Sequence, residues 1–171
     1  PKAFLPLREK TLLQHAIERA LPFASQVVAG VRAADVPAAQ EIVAMLPHEN
    51  VIVATGGATR LETLERLTKL THNKIAVIHE AARPFADEKL WQRVLEKVGE
   101  TGVAVPAIAI PARDGIGVRD GDFLEYQLWR ERLVALQVPQ AFDAETLRDI
   151  LRRTREENLR ADSVPGLAVA C

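Results

Sequence analysis

Apolar positions divide the chain into short β-branched runs that alternate with amphipathic stretches. Thr11 precedes Leu12, Leu13, Ala16, Ile17 and Ala20, which share one helical face, so a helix capped by Thr11 is predicted over 12–21. Residues 26–31 have the length and content of a strand. Asp35 and Pro37 open a second helix to residue 46, since proline is tolerated in a first turn. Residues 51–54 read as a strand and 61–70 as a helix. The run 75–78 is short, apolar and β-branched, which suits a strand buried on both faces. A helix over 87–98 turns Leu90, Trp91, Val94, Leu95 and Val98 inward, so Trp91 reads as core. Residues 103–110 read as a strand that Pro106 bends or ends. Residues 133–138 return as a strand, and 139–142 close it. Asp143 caps a helix to residue 156 with Leu147, Ile150 and Leu151 inward, and 162–165 opens a last short helix. Residues 1–7 read as a loop.

This alternation predicts an α/β fold: a three-layer α/β/α sandwich with a mostly parallel sheet and right-handed crossovers. The loops after Ala54 and Ile78 then share one edge, where open parallel sheets bind ligands. Two features fall there. The strand 75–78 delivers Glu80 and Arg83, which form either part of a site or an ordinary surface ion pair. The strand 51–54 runs through Gly56-Gly57 into a helix. That is either an anion and nucleotide cradle or a plain tight turn. The segment 113–132 breaks the pattern. It is polar, carries Gly115, Gly117 and Gly121, and reads as a hairpin around Asp120-Gly121. It lacks the apolar content to bury itself. It is expected either to pack on a partner subunit as a protruding β-arm or to remain a surface loop.

Composition narrows the function. The 171 residues suit one domain with a real core, and a net charge of −1 gives no global pull toward nucleic acid or membrane. Two tryptophans and one tyrosine are too few for a base-stacking platform. No apolar run approaches the ~20 residues of a bilayer span. The only cysteine, Cys171, allows neither an internal disulfide nor a cysteine metal cluster and fits a reducing cytoplasm. The chain starts at Pro1 and stops in a small apolar run, so sequence is expected to be missing at both ends.

The four histidines lack HExxH spacing, and His15, beside an apolar face, reads as packed rather than ligating. There is no GxSxG elbow, GxGxxG fingerprint or Walker loop. Lysine, arginine, one carboxylate and a glycine loop remain. That set suits phosphoryl or nucleotidyl transfer, where positioning and charge neutralisation dominate. Glu80 could hold Mg²⁺, directly or through water.

Four motifs stand in a telling order: Pro1-Lys2-Ala3-Phe4-Leu5-Pro6-Leu7, Gly56-Gly57-Ala58-Thr59-Arg60, His79-Glu80-Ala81-Ala82-Arg83-Pro84-Phe85 and Val138-Pro139-Gln140-Ala141-Phe142. Over essentially the whole chain, this order resembles the methylerythritol phosphate cytidylyltransferase family of glycosyltransferase-A-like nucleotidyltransferases, with their Rossmann-like fold. The resemblance implies transfer of CMP from CTP to methylerythritol phosphate with release of pyrophosphate, in isoprenoid precursor synthesis. It implies Mg²⁺ and a homodimer clasped by the arm 113–132. Lys2 would stabilise phosphate charge in the transition state. Gly56, Gly57, Thr63 and the Ala81 backbone would bind the nucleotide. Glu80 would be the metal ligand, Arg83 would face the phosphate-bearing substrates, and Arg130 would orient the acceptor for in-line attack.

The chain also departs from that family. The metal position is usually aspartate, one methylene shorter than Glu80. The arm's usual Asp-Thr is Asp114-Gly115, the threonine of Thr-Pro-Gln is Val138, and a later Thr-Asp-Glu reads Ala161-Asp162-Ser163. Three hydroxyls that could hold a polyol phosphate are thus absent. The family's glycine-rich loop with its arginine would precede Pro1, and a further lysine would follow Cys171. The alternatives are a cytidylyltransferase for another polyol phosphate, such as ribitol phosphate, or an inactive homologue acting as a binding module.

Overall fold

In the computed structural model, residues 1–110, 115–159 and 163–170 are described. The elements follow in chain order. Strands β1 (Pro6–Leu7) and β2 (Lys10–Thr11) form a small antiparallel hairpin before α1 (Leu12–Ala20). Then come β3 (Val27–Val31), α2 (Val36–Ala44), β4 (Val51–Thr55), α3 (Arg60–Thr68), β5 (Ile75–Ile78) and α4 (Glu88–Thr101). Strands β6 (Val103–Ala104) and β7 (Ala107–Ala109) lead to the hairpin β8 (Ile116–Asp120) and β9 (Phe123–Leu128). Strands β10 (Val134–Leu136) and β11 (Gln140–Asp143) precede α5 (Ala144–Glu156) and α6 (Val164–Ala170).

Side-chain caps fix the helix starts. Thr11, Thr59, Asp87 and Asp143 each accept a hydrogen bond from the backbone N–H three residues on, satisfying a donor that the helix leaves open. Helix α4 continues to Thr101, past the expected end at residue 98, and stops at Gly102.

Burial sorts the helices into two layers. Leu13 and Ile17 of α1 and Ala39 and Ile42 of α2 pack on Ala29 and Val51, while Trp91 of α4 shares a cluster with Ala20, Val27 and Val77. On the other face, Leu64 of α3, Leu147, Ile150 and Leu151 of α5, and Val164 and Leu167 of α6 enclose Phe142, Ala76 and Ile78. Neighbouring residues of one strand thus point opposite ways: Ala141 faces Val94 and Val98, and Phe142 faces α5. The expected α/β/α layering follows from this alternation.

The pairing is mixed. β3 and β4 are parallel, from Val27↔Val51 to Val31↔Thr55. β11 lies between β5 and β6 and is antiparallel to both, so β5 and β6 share a direction. Pro106 divides the expected strand 103–110, as a residue without a ladder donor should. The part after it, β7, pairs with β10. The segment 139–142, read as the close of a strand, is instead mostly β11, the strand that joins two halves of the core. The arm hairpin is present, its tip one residue later than expected. Asp120 pairs with Phe123, leaving Gly121 (φ 57°) and Asp122 to turn, and glycine tolerates that left-handed conformation. Ala161, one of the departures from the family pattern, lies outside the described residues, as do Asp114, Asp162, Arg113 of the arm and Cys171. No described helix is long and apolar enough to cross a membrane.

Candidate active site

Strands β4 and β5 lie in separately paired sheets, and the segments that follow them meet where Arg60, after β4, contacts Glu80, after β5. Beyond β4, the glycine loop spends its own donors. The Gly56 N–H donates to Val31 O (2.7 Å), that of Gly57 to Thr63 Oγ1 (2.9 Å) and that of Ala58 to Glu62 Oε2 (2.8 Å). The Glu62 N–H donates to Thr59 Oγ1 (3.1 Å), and Thr63 Oγ1 donates to Thr59 O (2.9 Å). An anion cradle needs free N–H groups. A loop whose donors are used internally is a rigid wall, better suited to the flat side of a nucleoside than to its phosphates. Glycine is required at position 57, because a Cβ there would lie 2.3 Å from Glu62 Cβ.

The charged half of the edge lies beyond β5. Arg60, the first residue of α3, donates from Nη1 to Glu80 Oε1 at 2.6 Å. Arg83 Nε lies 3.3 Å from Glu80 Oε2, and its Nη1 donates to Gln137 Oε1 at 2.9 Å. A turn bond from Arg83 N–H to Glu80 O (2.9 Å) fixes the spacing. One carboxylate therefore bridges two guanidiniums, and the group carries a net positive charge. Partial burial pushes the Glu80 carboxyl up, but the bonds and charges of Arg60 and then Arg83 outweigh it and hold the group below its usual range.

Other expected residues fall as follows. Ala81 packs against the cluster that also holds Ala3 and Phe4, which brings the start of the chain beside the β5 loop. Lys2 is exposed on a 3₁₀ turn (Lys2–Phe4) closed by Phe4 N–H to Pro1 O (3.1 Å) and Leu5 N–H to Lys2 O (3.0 Å). Thr63 is committed to the glycine loop. The exposed Arg130 belongs to the turn Arg130–Arg132 at the foot of the arm. Val138 is buried.

His79 is a residue the sequence did not single out. Its ring lies 5.3 Å from Trp91, which stacks on Phe23 at 5.6 Å, and both ring nitrogens are buried without a partner among the described residues. Burial holds His79 below its ordinary value, against an opposing pull from Glu80. A histidine kept neutral by the fold takes up its proton more readily when unfolded. Its contribution is therefore intact above about 6.5, the ordinary histidine value, and is lost as the pH falls through the lowered native value. His79→Phe should flatten the fall in urea midpoint between about pH 7.5 and 5.5. An unchanged slope would show that His79 carries none of it.

The donor set bears on the metal position. Both Glu80 oxygens are engaged by guanidiniums, and no group of three His, Cys, Asp or Glu side chains gathers among the described residues. That does not fit a cation held by the protein alone.

Sequence reasoning missed Arg60 and Gln137 as members of this group. Arg60 could have been found from its place at the first helical position after a strand, on the same edge as Glu80. Gln137 carries no such signal, because its approach depends on how β10 ends.

Known proteins bear on this edge. The family model described as IspD, 2-C-methyl-D-erythritol 4-phosphate cytidylyltransferase, matches residues 1–167. A relative of that name from Deinococcus radiodurans is 30% identical over 167 residues, covering 98% of this chain and 68% of the relative. A relative from Thermus thermophilus is 30% identical over 170 residues, covering 99% and 75%. The crystal structure of the enzyme from Thermus thermophilus superposes with a TM-score of 0.79 at 28% identity, over 99% of this chain and 79% of that one. A 4-diphosphocytidyl-2C-methyl-D-erythritol synthase from Anaerococcus prevotii, at 16% identity and TM-score 0.87, shares the fold over 96% of this chain and 76% of its own. With its glycine wall next to paired arginines, and with the match running through both, the chain belongs to the 2-C-methyl-D-erythritol 4-phosphate cytidylyltransferase family.

Proposed function

We propose that the protein transfers a cytidylyl group from CTP to methylerythritol phosphate. An oxygen of the acceptor's phosphate attacks the α-phosphorus, the bond from that phosphorus to the bridging oxygen breaks, and pyrophosphate leaves. The observation that carries this reading is the cationic Arg60–Glu80–Arg83 group beside a glycine wall, at the carboxyl ends of β4 and β5. The wall of Gly56, Gly57 and Thr63, with the Ala81 backbone opposite, holds the cytidine. Arg83 faces phosphate, Lys2 neutralises charge that grows on the phosphates, and Arg130 orients the acceptor. Holding two substrates in line is a large part of the catalysis. Both Glu80 oxygens are engaged by guanidiniums, so no residue of this group is assigned to a divalent cation.

The arm supports a homodimer. Phe123 (79% exposed), Leu124 (68%), Tyr126 (51%) and Trp129 (77%) stand in or beside a two-stranded ribbon, which is marginal alone in water. A second copy of the chain covers it. One observation favours a second acceptor: buried Val138 offers no hydroxyl to a polyol, so ribitol phosphate belongs in the same assay.

The test is pyrophosphate release by the full-length protein with CTP, Mg²⁺ and a panel of polyol phosphates. Release with methylerythritol phosphate is expected, from a species that sediments as a dimer. Release only with another acceptor would move the specificity. No release with any of them would leave a binding module.

A further inference from the structure

We propose that Glu80 is a guanidinium clamp and that Arg60 and Gln137 are positioning residues, which together hold Arg83 in an anion-facing pose before any substrate arrives. This rests on the reading of the edge as a phosphate-handling site, and it assigns Glu80 a role other than ligating a cation. A carboxylate can accept bonds on both oxygens, and Glu80 uses one for each arginine. The extra methylene, relative to aspartate, lets it reach from the end of β5 to the first turn of α3. Each arginine keeps donors to spare: Arg60 uses only Nη1, and Arg83 only Nε and Nη1, among the described residues.

Gln137 is itself fixed. Its N–H donates to Pro106 O (2.7 Å), its Nε2 to Ala135 O (3.2 Å), and its own carbonyl accepts from Gln140 Nε2 (3.0 Å). The bond to Ala135 sets which end of the amide is nitrogen, so Oε1 must face Arg83. Gln140 is buried in β11. The clamp therefore ties α3, the β5 loop and the end of β10 to the central strand. A free arginine loses much rotamer freedom when it binds an anion, and here part of that ordering is already done.

The clamp and a cation ligand predict opposite signs. Titrate the full-length dimer calorimetrically with inorganic pyrophosphate in EDTA, so that no metal takes part. If Glu80 serves only a cation, Glu80→Gln removes a negative charge beside the anion, and binding stays equal or tightens. For a clamp, the same change releases both arginines, and binding weakens about fivefold to tenfold. Arg60→Ala and Gln137→Ala should each weaken it about threefold to fivefold, with Arg60→Lys intermediate. Arg60→Ala combined with Glu80→Gln should cost less than the product of the two single effects, because the residues share a bond. In steady state, Gln137→Ala should raise KM for the polyol phosphate several-fold and leave kcat within about twofold, a split that a merely structural role would not give. Equal or tighter pyrophosphate binding by Glu80→Gln overturns the clamp, as does unchanged binding by Arg60→Ala and Gln137→Ala, or no binding by the wild type. Absence of turnover with every acceptor, alongside the expected order of pyrophosphate affinities, would overturn the proposed reaction and leave the clamp standing.

Discussion

Phe142→Ala should lower the free energy of unfolding by about 3–5 kcal/mol, a large share of the total for a domain of this size. Phe142 is fully buried in β11, paired on one side with Ala76 of β5 and on the other with Val103 of β6. Its ring packs among Leu64, Leu147, Ile150, Leu151, Val164 and Leu167, so truncation opens a cavity against three helices at once. Packed cores close such gaps only partly. Phe85 is the control. It ends the motif that follows β5 but is 82% exposed, so Phe85→Ala should stay within about 0.5 kcal/mol. Urea melts of both variants test this. A Phe142→Ala midpoint close to wild type would mean that β11 does not join the two halves of the core.

Much of the layering was legible because it rests on local signals. Thr11, Thr59, Asp87 and Asp143 announce helix starts through their own side chains, and the inward positions of α1, α4 and α5 follow the helical period. Strand β11 was not legible. Gln140-Ala141-Phe142-Asp143 has neither alternation nor a β-branched run, and its strand character comes from two neighbours that are distant in the chain, β5 and β6. The β1–β2 hairpin was hidden for a similar reason: its strands are two residues each, and the bend passes through Arg8 at φ 58°, which no composition rule marks.

The site divides the same way. Glu80 and Arg83 could be placed from the strand that carries them. The partner of Glu80 was missed: Arg60 reaches it across 20 residues of chain from another element, and its one signal was its place at the start of α3. The glycine pair was read either as an anion and nucleotide cradle or as a plain tight turn, and hydrogen bonding bears on the phosphate part of the first. With the N–H groups of Gly56, Gly57 and Ala58 spent on Val31, Thr63 and Glu62, the pair is a wall and not a phosphate cradle. On the proposed reading, phosphate recognition falls to the arginines, and the side-chain cations become the part of this edge whose substitution should matter most.

Lys2→Ala should reduce kcat about 10²–10³-fold while changing the KM for CTP little, if the lysine acts on charge that grows in the transition state. Its placement supports that reading. Ala3 and Phe4 anchor the 3₁₀ turn in the cluster that also receives Ala81, so the ammonium group is carried on a fixed backbone beside the β5 loop. The side chain itself is exposed, and its removal should leave stability within about 0.5 kcal/mol. Lys2→Arg should recover only part of the rate, since a planar fork replaces a compact point charge. Phosphate affinity and turnover then separate cleanly: the Arg60–Glu80–Arg83 group should govern how tightly an anion is held, and Lys2 how fast the α-phosphorus changes partners. Single-turnover measurements on the full-length protein distinguish the two. A Lys2→Ala rate within a few-fold of wild type would remove Lys2 from the chemical step and leave the arginines as the source of charge neutralisation.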